Sequence, residues 1–466
     1  MHYFFSADVA KKNCVIAGCD ENEKPVISRR RIANDRQGFS GLVRQLNGFA
    51  GRADGVHFLV EASGNLHENL VRYLAVHAPT VRLYVVNPLL AKRYGTSALR
   101  RNHTDADDAA HLLHLLVKEW ASLHVWEDDP VWTQLRRVTR ERIRLVGDRT
   151  RQINRLGNQL HLAFPEFTQV LSNLTQRLAL ALLAAYPTAA DFARRRLDAL
   201  ARFQAKGRGC RPLGKERAAR LIALAKDSVA SATSACEAEL LRHTVARIEL
   251  INQQIAWCER QAQKLLLQCE PTTARTDAPS QGATVPVGAP ETPMPRAVLA
   301  HQAALIAPMP AMGRINTPLL CARAGDIRRF QTADALAAFL GTCPSRHQTG
   351  SSKDAAFLTP YADKTFRNAM FLGTISAIKS FPPLRFYYQW LREPHRTGPN
   401  GPRRPHTHKQ AVVACMNRII HWVWTVVTSD TPFDPQRIYA NCRHQFPQRW
   451  EEFLQSQSLP TEGGPR

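Results

Sequence analysis

Two carboxylates three residues apart at the head of an apolar run have the clearest chemical potential in this chain. They are Asp105 and Asp108, in the stretch Arg101-Asn102-His103-Thr104-Asp105-Ala106-Asp107-Asp108-Ala109-Ala110. Thr104 has the character of an N-cap and Asp107, three residues on, completes a capping box, so a helix is predicted to begin here. Asp105 and Asp108 share one face of that helix, and Leu112 and Leu116 continue it, so the face points inward. Two acids heading a buried stripe repel each other unless a cation lies between them. Taken alone, the same acids are better explained by the helix dipole, which draws negative charge to the N-terminus. The choice depends on what the rest of the chain brings to the same place.

The elements that must position these residues are read from alternation. Residues 3–19 alternate and are rich in Val, Ile and Phe around a Lys11-Lys12-Asn13 turn, the pattern of a hairpin, with Asp8 near the end of its first strand. A third strand over Pro25–Ile32 and a helix over Gly38–Leu46 follow. Val56-His57-Phe58-Leu59-Val60-Glu61-Ala62 reads as a buried strand ending in a carboxylate, then a Ser63-Gly64-Asn65 turn and an amphipathic helix over Leu66–Val76. Val81–Val86 is another buried strand, stopped at Asn87-Pro88. Strands alternating with helices imply an α/β sheet.

In such a sheet, strand ends and helix starts converge on one edge, where sites are built. Asp8, Glu61, Asp105 and Asp108 are the four acids that follow or interrupt apolar runs. Singly, Asp8 reads as a turn residue and Glu61 as a capping group. Together they form an oxygen-only ligand set, which selects Mg²⁺ or Mn²⁺. Two such ions could clamp the attacking and leaving oxygens of a phosphodiester.

The composition points to the same substrate. A formal charge of +23 over 466 residues makes a field that attracts polyanions, and nucleic acid is the default partner. A basic membrane-surface protein is the rival; no apolar run reads as long enough to span a bilayer, and the first residues lack the basic and apolar regions of a signal peptide. Ten scattered cysteines without a Cys-x-x-Cys pair argue against a zinc site and a disulfide framework. A cytoplasmic, nucleoid-associated location is expected.

Ser6-Ala7-Asp8-Val9-Ala10-Lys11, Leu59-Val60-Glu61-Ala62-Ser63-Gly64, Val86-Asn87-Pro88 and Thr104-Asp105-Ala106-Asp107-Asp108-Ala109 together resemble the N-terminal half of the DEDD transposases of insertion-sequence family one-ten, which include the Piv-type DNA invertases. The resemblance implies a RuvC-like, RNase H-like domain over residues 1–125 with Asp8, Glu61, Asp105 and Asp108 as its metal-binding catalytic tetrad. It implies a homo-oligomer, dimer or tetramer, whose site is composed from different subunits, and it raises target choice by a bridge-like guide RNA.

Residues 126–270 read as a helical, coiled-coil region. Arg136, Arg140, Arg144 and Arg151 belong to an arginine-rich helix over Val131–Ala163 that is short of acids; it reads as a polyanion-binding face, against the bland alternative of a solvated helix surface. A second long helix is predicted over Gly214–Cys269. Residues 271–297, rich in Pro, Thr, Ala and Gly, form a flexible linker.

A mainly α C-terminal transposase domain is expected over 298–430, with a tail over 431–466. Met309-Pro310-Ala311-Met312-Gly313-Arg314-Ile315 resembles a hairpin between two helices whose backbone N–H groups hold a phosphate, which would use Gly313 and Arg314. Ala324–Phe330 and Ala335–Pro344 continue the family resemblance. After that proline the family places a serine nucleophile; here the register falls on Thr349, with further hydroxyls at Ser351 and Ser352. A hydroxyl attacks a phosphodiester only when activated and when the phosphate charge is neutralised. The same residues also read as a polar loop without a role. Lys353, Arg367 and, in a basic loop, Arg403 and Arg404 complete the candidate DNA contacts. The leading expectation is a transposase or site-specific recombinase acting through a covalent hydroxyl–DNA intermediate. The alternatives are a RuvC-like structure-specific endonuclease using water and a decayed, non-catalytic nucleic-acid-binding copy.

Overall fold

The computed structural model describes residues 1–62, 64–88, 91, 105–123, 125–126, 130–207, 209–231, 234–267, 296–349, 353–358, 364–394, 397–398, 401–402 and 405–458. These divide into two compact units, Met1–Arg136 with Leu265–Arg466, and Arg137–Lys264.

In the first unit the alternating runs become a five-stranded sheet. β1 (His2–Val9) and β2 (Asn13–Asp20) pair antiparallel around the Lys11-Lys12 turn, where the Ala10 N–H donates to the Asn13 carbonyl at 2.9 Å. β3 (Pro25–Ala33) pairs antiparallel with β2, and β4 (Gly55–Glu61) and β5 (Val81–Val86) add in parallel on the other side of β1. The order is β3-β2-β1-β4-β5.

Both faces of this mixed sheet are covered, because the central strands β1, β2 and β4 carry buried apolar residues at both parities. α1 (Arg36–Ala50) and α2 (Leu66–His77) cover one face, burying Phe39, Leu42, Leu46, Leu70 and Leu74 against Phe5, Ala7, Phe58 and Val60. α1 begins two residues before the predicted Gly38 because Asp35 caps it, its carboxylate accepting from the Gly38 N–H at 2.8 Å. α3 (Asp105–Glu119) covers the opposite face through Ala109, Leu112, Leu115 and Leu116, packed on Phe4, Val15, Ala17, Leu59, Tyr84 and Val86.

The second unit is helical. α4 (Pro130–Ala163) and α9 (Ala235–Leu267), which both continue past its boundaries, run in opposite directions along each other: Arg142 binds Glu259 at 2.9 Å, and seven residues on Arg149 binds Asn252 at 3.3 Å. Between them in sequence lie α5 (Arg177–Ala185), α6 (Ala189–Ala193), α7 (Leu197–Ala201) and α8 (Lys215–Lys226) around a core of Leu160, Phe164, Phe167, Leu183, Phe192, Leu221 and Ile248. The single helix expected over Gly214–Cys269 is two. The chain leaves helix after Lys226, where Glu166 accepts from the Ser228 hydroxyl at 2.6 Å and the Val229 N–H at 3.2 Å. It re-enters with Ser234 and Glu237 as a reciprocal capping box.

The C-terminal part of the first unit is mostly helical: α10 (Arg296–Ile306), α11 (Gly313–Ala324), α12 (Ala333–Leu340), α13 (Lys364–Ser380), α14 (Pro382–Arg392), α15 (His408–Thr428), α16 (Pro435–Gln445) and α17 (Pro447–Ser458). A hairpin of β6 (Pro344–Thr349) and β7 (Lys353–Leu358) lies between α12 and α13, and a second, minimal pair, β8 (Thr397–Gly398) and β9 (Gly401–Pro402), between α14 and α15. α15 corrects one expectation: by length and composition it could cross a bilayer. Its apolar residues are used otherwise, since Ala411, Val412, Met416, Ile419, Ile420 and Val423 are buried and α10, α12, α13 and α14 pack on it. The nine described cysteines are free, and burial pushes the thiols of Cys14, Cys321 and Cys415 up to about 12. Most of the expected 271–297 linker lies outside the described residues.

Candidate active site

The parallel register of β1 and β4 pairs Ser6 with Leu59 and Ala7 with Val60, so Asp8 and Glu61 are each the next residue along neighbouring strands. Strand alternation fixes their common face. Phe5, Ala7 and Val9 face α1 and α2, as do Val56, Phe58 and Val60. Phe4 and Leu59 face α3, and Asp8 and Glu61 share their parity. Both carboxylates are half-buried at the same edge.

α3 brings the third acid to that edge. Its direction is fixed at both ends. Near its head the Ser6 hydroxyl donates to the Ala109 carbonyl at 2.7 Å. Past its tail the Trp120 ring stands 5.1 Å from His2 and 4.7 Å from His57, at the opposite end of the strands. The helix therefore runs antiparallel to β1 and carries Asp108, half-buried and adjacent to Ala109, at the level of the strand ends. Asp105 is the first residue of α3; its side chain, like Thr104, Asp107 and the predicted capping box, lies outside the described residues.

The structure thus brings Asp8, Glu61 and Asp108 to one edge and one face. Among the described residues no three His, Cys, Asp or Glu side chains close on one point as a complete ion cage. The donor set nevertheless fits a hard divalent cation in kind, being carboxylate oxygen throughout and placed where strands end.

Sequence reasoning missed a polar chain at the opposite end of the strands. His57 is fully buried, with Nδ1 3.0 Å from the Tyr84 hydroxyl and Nε2 3.1 Å from His2 Nδ1. Burial, reinforced by His2 and Arg82, pushes the His57 imidazole down to about 4. A histidine inside an otherwise apolar strand was the available signal, but its partners come from β1 and β5.

The hydroxyl candidates come from another element. Thr349 ends β6 and is in register with Lys353, which begins β7; their side chains, and Ser351 and Ser352 altogether, lie outside the described residues. Arg403 and Arg404 do so as well. Arg314 is exposed at the start of α11, and Arg367 is half-buried on α13. Gly313 has a positive φ of 54° at the turn before α11, and its N–H donates to the Ala307 carbonyl at 3.3 Å.

The arginine helix is less short of acids than its sequence suggests. Arg142 pairs with Glu259, Arg144 with Glu141 at 3.8 Å, and Arg151 with Asp148. Arg136 lies over the Trp132 ring at 4.6 Å. Arg140, Arg144 and Arg151 remain exposed, and exposed ion pairs exchange readily for phosphate.

The site and sheet define a class that comparison with known proteins identifies. Residues 6–165 match the family model DEDD_Tnp_IS110, described as a transposase, and residues 303–389 match that of the Transposase IS116/IS110/IS902 family. Together the two models cover more than half of the chain, and the chain belongs to the IS110 family of transposases. It is 28% identical over 137 residues to the pilin gene-inverting protein of Moraxella bovis, a match covering 29% of this chain and 40% of that protein, and likewise 28% identical over 137 residues to that of Moraxella lacunata. The similarity thus spans 40% of the length of those two relatives. An uncharacterized 42 kDa protein of insertion element IS900 from Mycobacterium paratuberculosis is 24% identical over 336 residues, 71% of this chain and 73% of that protein.

Proposed function

We propose that this chain is a DNA transposase or site-specific recombinase whose acidic edge, Asp8, Glu61, Asp105 and Asp108, binds Mg²⁺ or Mn²⁺ and acts on phosphodiesters. The observation that carries this reading is the pair of adjacent parallel strands each ending in a carboxylate, with the Asp108 end of α3 laid over the same face. The sheet order supports an RNase H-like, RuvC-like assignment. The similarity to proteins named for gene inversion supports rearrangement of DNA as the outcome.

A bound divalent ion would supply charge neutralisation and Lewis acidity at the phosphate. The chain's own contribution is placement and the nucleophile. Ser6 ties the head of α3 to β1, so Asp108 is held relative to Asp8. The hydroxyl of Thr349, Ser351 or Ser352 gives up its proton as its oxygen attacks phosphorus, the bond to one strand oxygen breaks, and that leaving oxygen takes up a proton in turn. Attack by a strand hydroxyl on the resulting side-chain phosphodiester restores the residue and rejoins DNA. The exposed arginines of α4 offer phosphate contacts. In this reading the site is composed from subunits of a dimer or tetramer, and a bridge-like RNA selects the target by base pairing.

The test is supercoiled DNA carrying the native locus, incubated with the protein, Mg²⁺ and cellular RNA, followed by mass spectrometry for a DNA-modified peptide. An adduct at Thr349, Ser351 or Ser352 is the expected result. Nicked DNA without an adduct would favour the hydrolytic-nuclease reading; the threonine at the family's serine position speaks instead for the non-catalytic one. Binding without strand breaks under these conditions would favour the non-catalytic reading.

A further inference from the structure

At the other end of the chain, the last helix of the matched C-terminal segment and two helices that follow it build a groove that the acidic edge does not use. α14, α15 and α16 enclose a cavity of about 230 Å³ whose walls include Tyr387, Trp390, Arg418 and Trp422, with Asn441 and Gln445 on the α16 side. A second cavity of about 340 Å³ shares Tyr387, Arg418 and Trp422 and adds Asn417 and His421, so the two adjoin across these side chains. Its contribution from α16 lies beyond residue 389, where the family match ends.

The lining has a specific chemical character. Tyr387 and Trp390 stand on one helix with ring centroids 5.8 Å apart and planes 26° from parallel. Arg418 from α15 lies over the Tyr387 ring at 4.6 Å. The three half-buried aromatic rings provide stacking surface, the guanidinium provides both a flat face and a cation, and the amides provide donors and acceptors suited to base edges. No carboxylate is among the described residues lining either cavity. His421 is engaged with Asp334 at 3.2 Å, which leaves Arg418 as the positive group in the groove.

A purely apolar occupant such as a peptide side chain would not use the guanidinium or the amides. A duplex would present stacked bases with their faces inaccessible. An unpaired nucleobase on a polyanionic strand matches all three features, in a chain whose charge is +23. We propose that the groove between α14, α15 and α16 is a binding site for an unpaired nucleobase of single-stranded nucleic acid, stacked against Tyr387, Trp390 and Trp422 with Arg418 beside its backbone. The site is independent of the acidic edge and of whether that edge cuts DNA.

The experiment uses the full chain and three 12-nucleotide probes, a single-stranded oligothymidine, the matching duplex and an abasic strand of equal length. Affinities would be read by anisotropy and contacts mapped by photocrosslinking from 5-iodouracil. Tighter binding of the oligothymidine than of the abasic strand is expected, with crosslinks on Tyr387, Trp390 or Trp422. Arg418→Ala and Trp390→Leu should each weaken oligothymidine binding ~tenfold, as loss of one stacked base would, with duplex binding unchanged. Equal binding of the abasic strand, or crosslinks confined to other surfaces, overturns the proposal, and neither result depends on a variant folding. Because no strand breakage is read, failure here and failure of the recombinase reading remain distinguishable.

Discussion

The hydroxyl of Ser6 donates to the carbonyl of Ala109 across 103 residues of sequence, at 2.7 Å and out of contact with water. Ser6 lies two residues before Asp8 on the same strand face, and Ala109 follows Asp108. One bond thus sets the register between the strand that carries one acid and the helix that carries another. Ser6→Ala should lower stability by about 1 kcal/mol, the usual net worth of one hydrogen bond, and reduce strand cleavage by more than the melting shift explains. Thermal melts and cleavage rates compared side by side decide this; full cleavage by Ser6→Ala would show that the lock is dispensable.

Removing charge from the acidic edge should separate binding from chemistry. Asp8→Asn is expected to abolish strand breakage while leaving DNA affinity intact. In the wild-type protein, saturating Mg²⁺ should raise the melting temperature, by about 3 kcal/mol of stability at ~100-fold excess over Kd, and EDTA should reverse the rise. A Mg²⁺-induced shift of the same size in Asp8→Asn would argue that the ion binds elsewhere.

The buried His57 makes stability depend on acid. Its imidazole lies at about 4 in the folded chain against an ordinary value near 6.5, so between those values the unfolded chain binds the extra proton. Stability is therefore fully present above about pH 6.5 and declines as pH falls toward 4, by about 3 kcal/mol from this group. Urea midpoints from pH 7 to pH 4 should follow that slope in the wild type and a shallower one in His57→Gln. An unchanged slope would assign the acid sensitivity to other groups.

Gly373 has no room for a side chain. A Cβ there would land on the Asn316 amide nitrogen and 2.9 Å from the Ala311 carbonyl oxygen, the two groups whose 2.6 Å hydrogen bond ties the turn before α11 to the first turn of that helix. Gly373→Ala should cost about 1–3 kcal/mol, as overpacking does, and loosen the Met309–Gly313 turn. Hydrogen exchange at the Gly313 and Asn316 amides would register it, and unaltered protection there would count against the clamp.

The exposed arginines of α4 should act through charge alone. Combining Arg140→Ala, Arg144→Ala and Arg151→Ala is expected to weaken binding to unrelated DNA sequences alike and to flatten the salt dependence by ~1 per lost phosphate contact. Affinities measured across a salt series give the slope directly. An undiminished slope would place the polyanion on another surface.

The acidic edge was legible because its signal is local: an apolar run ending in a carboxylate marks Glu61, and a two-residue period marks Asp8. α3 was legible from Leu112 and Leu116. The break at Lys226 was written in Ser234 and Glu237, a capping box overlooked because the apolar spacing on either side suits one long helix. The engagement of Glu166 with Ser228 could not be seen, since 62 residues separate them. The same holds for His57, whose partners His2 and Tyr84 are neighbours only after β1, β4 and β5 align. The nucleotide-sized groove needed α14, α15 and α16 to meet, and no spacing in any one of them announces it.

The first compact unit is assembled from the two ends of the chain, with Trp132 donating from its indole to the Cys321 carbonyl at 3.4 Å. The second unit, residues 137–264, is a single uninterrupted segment. During synthesis the helical unit can close while the ribosome is still making the C-terminal half. The sheet that bears the acids must wait for residues beyond 265 before its own unit is complete. A protein built in this order completes the sheet, its covering helices and the Ser6–Ala109 tie first, closes the helical unit next, and adds the C-terminal helices of the first unit last.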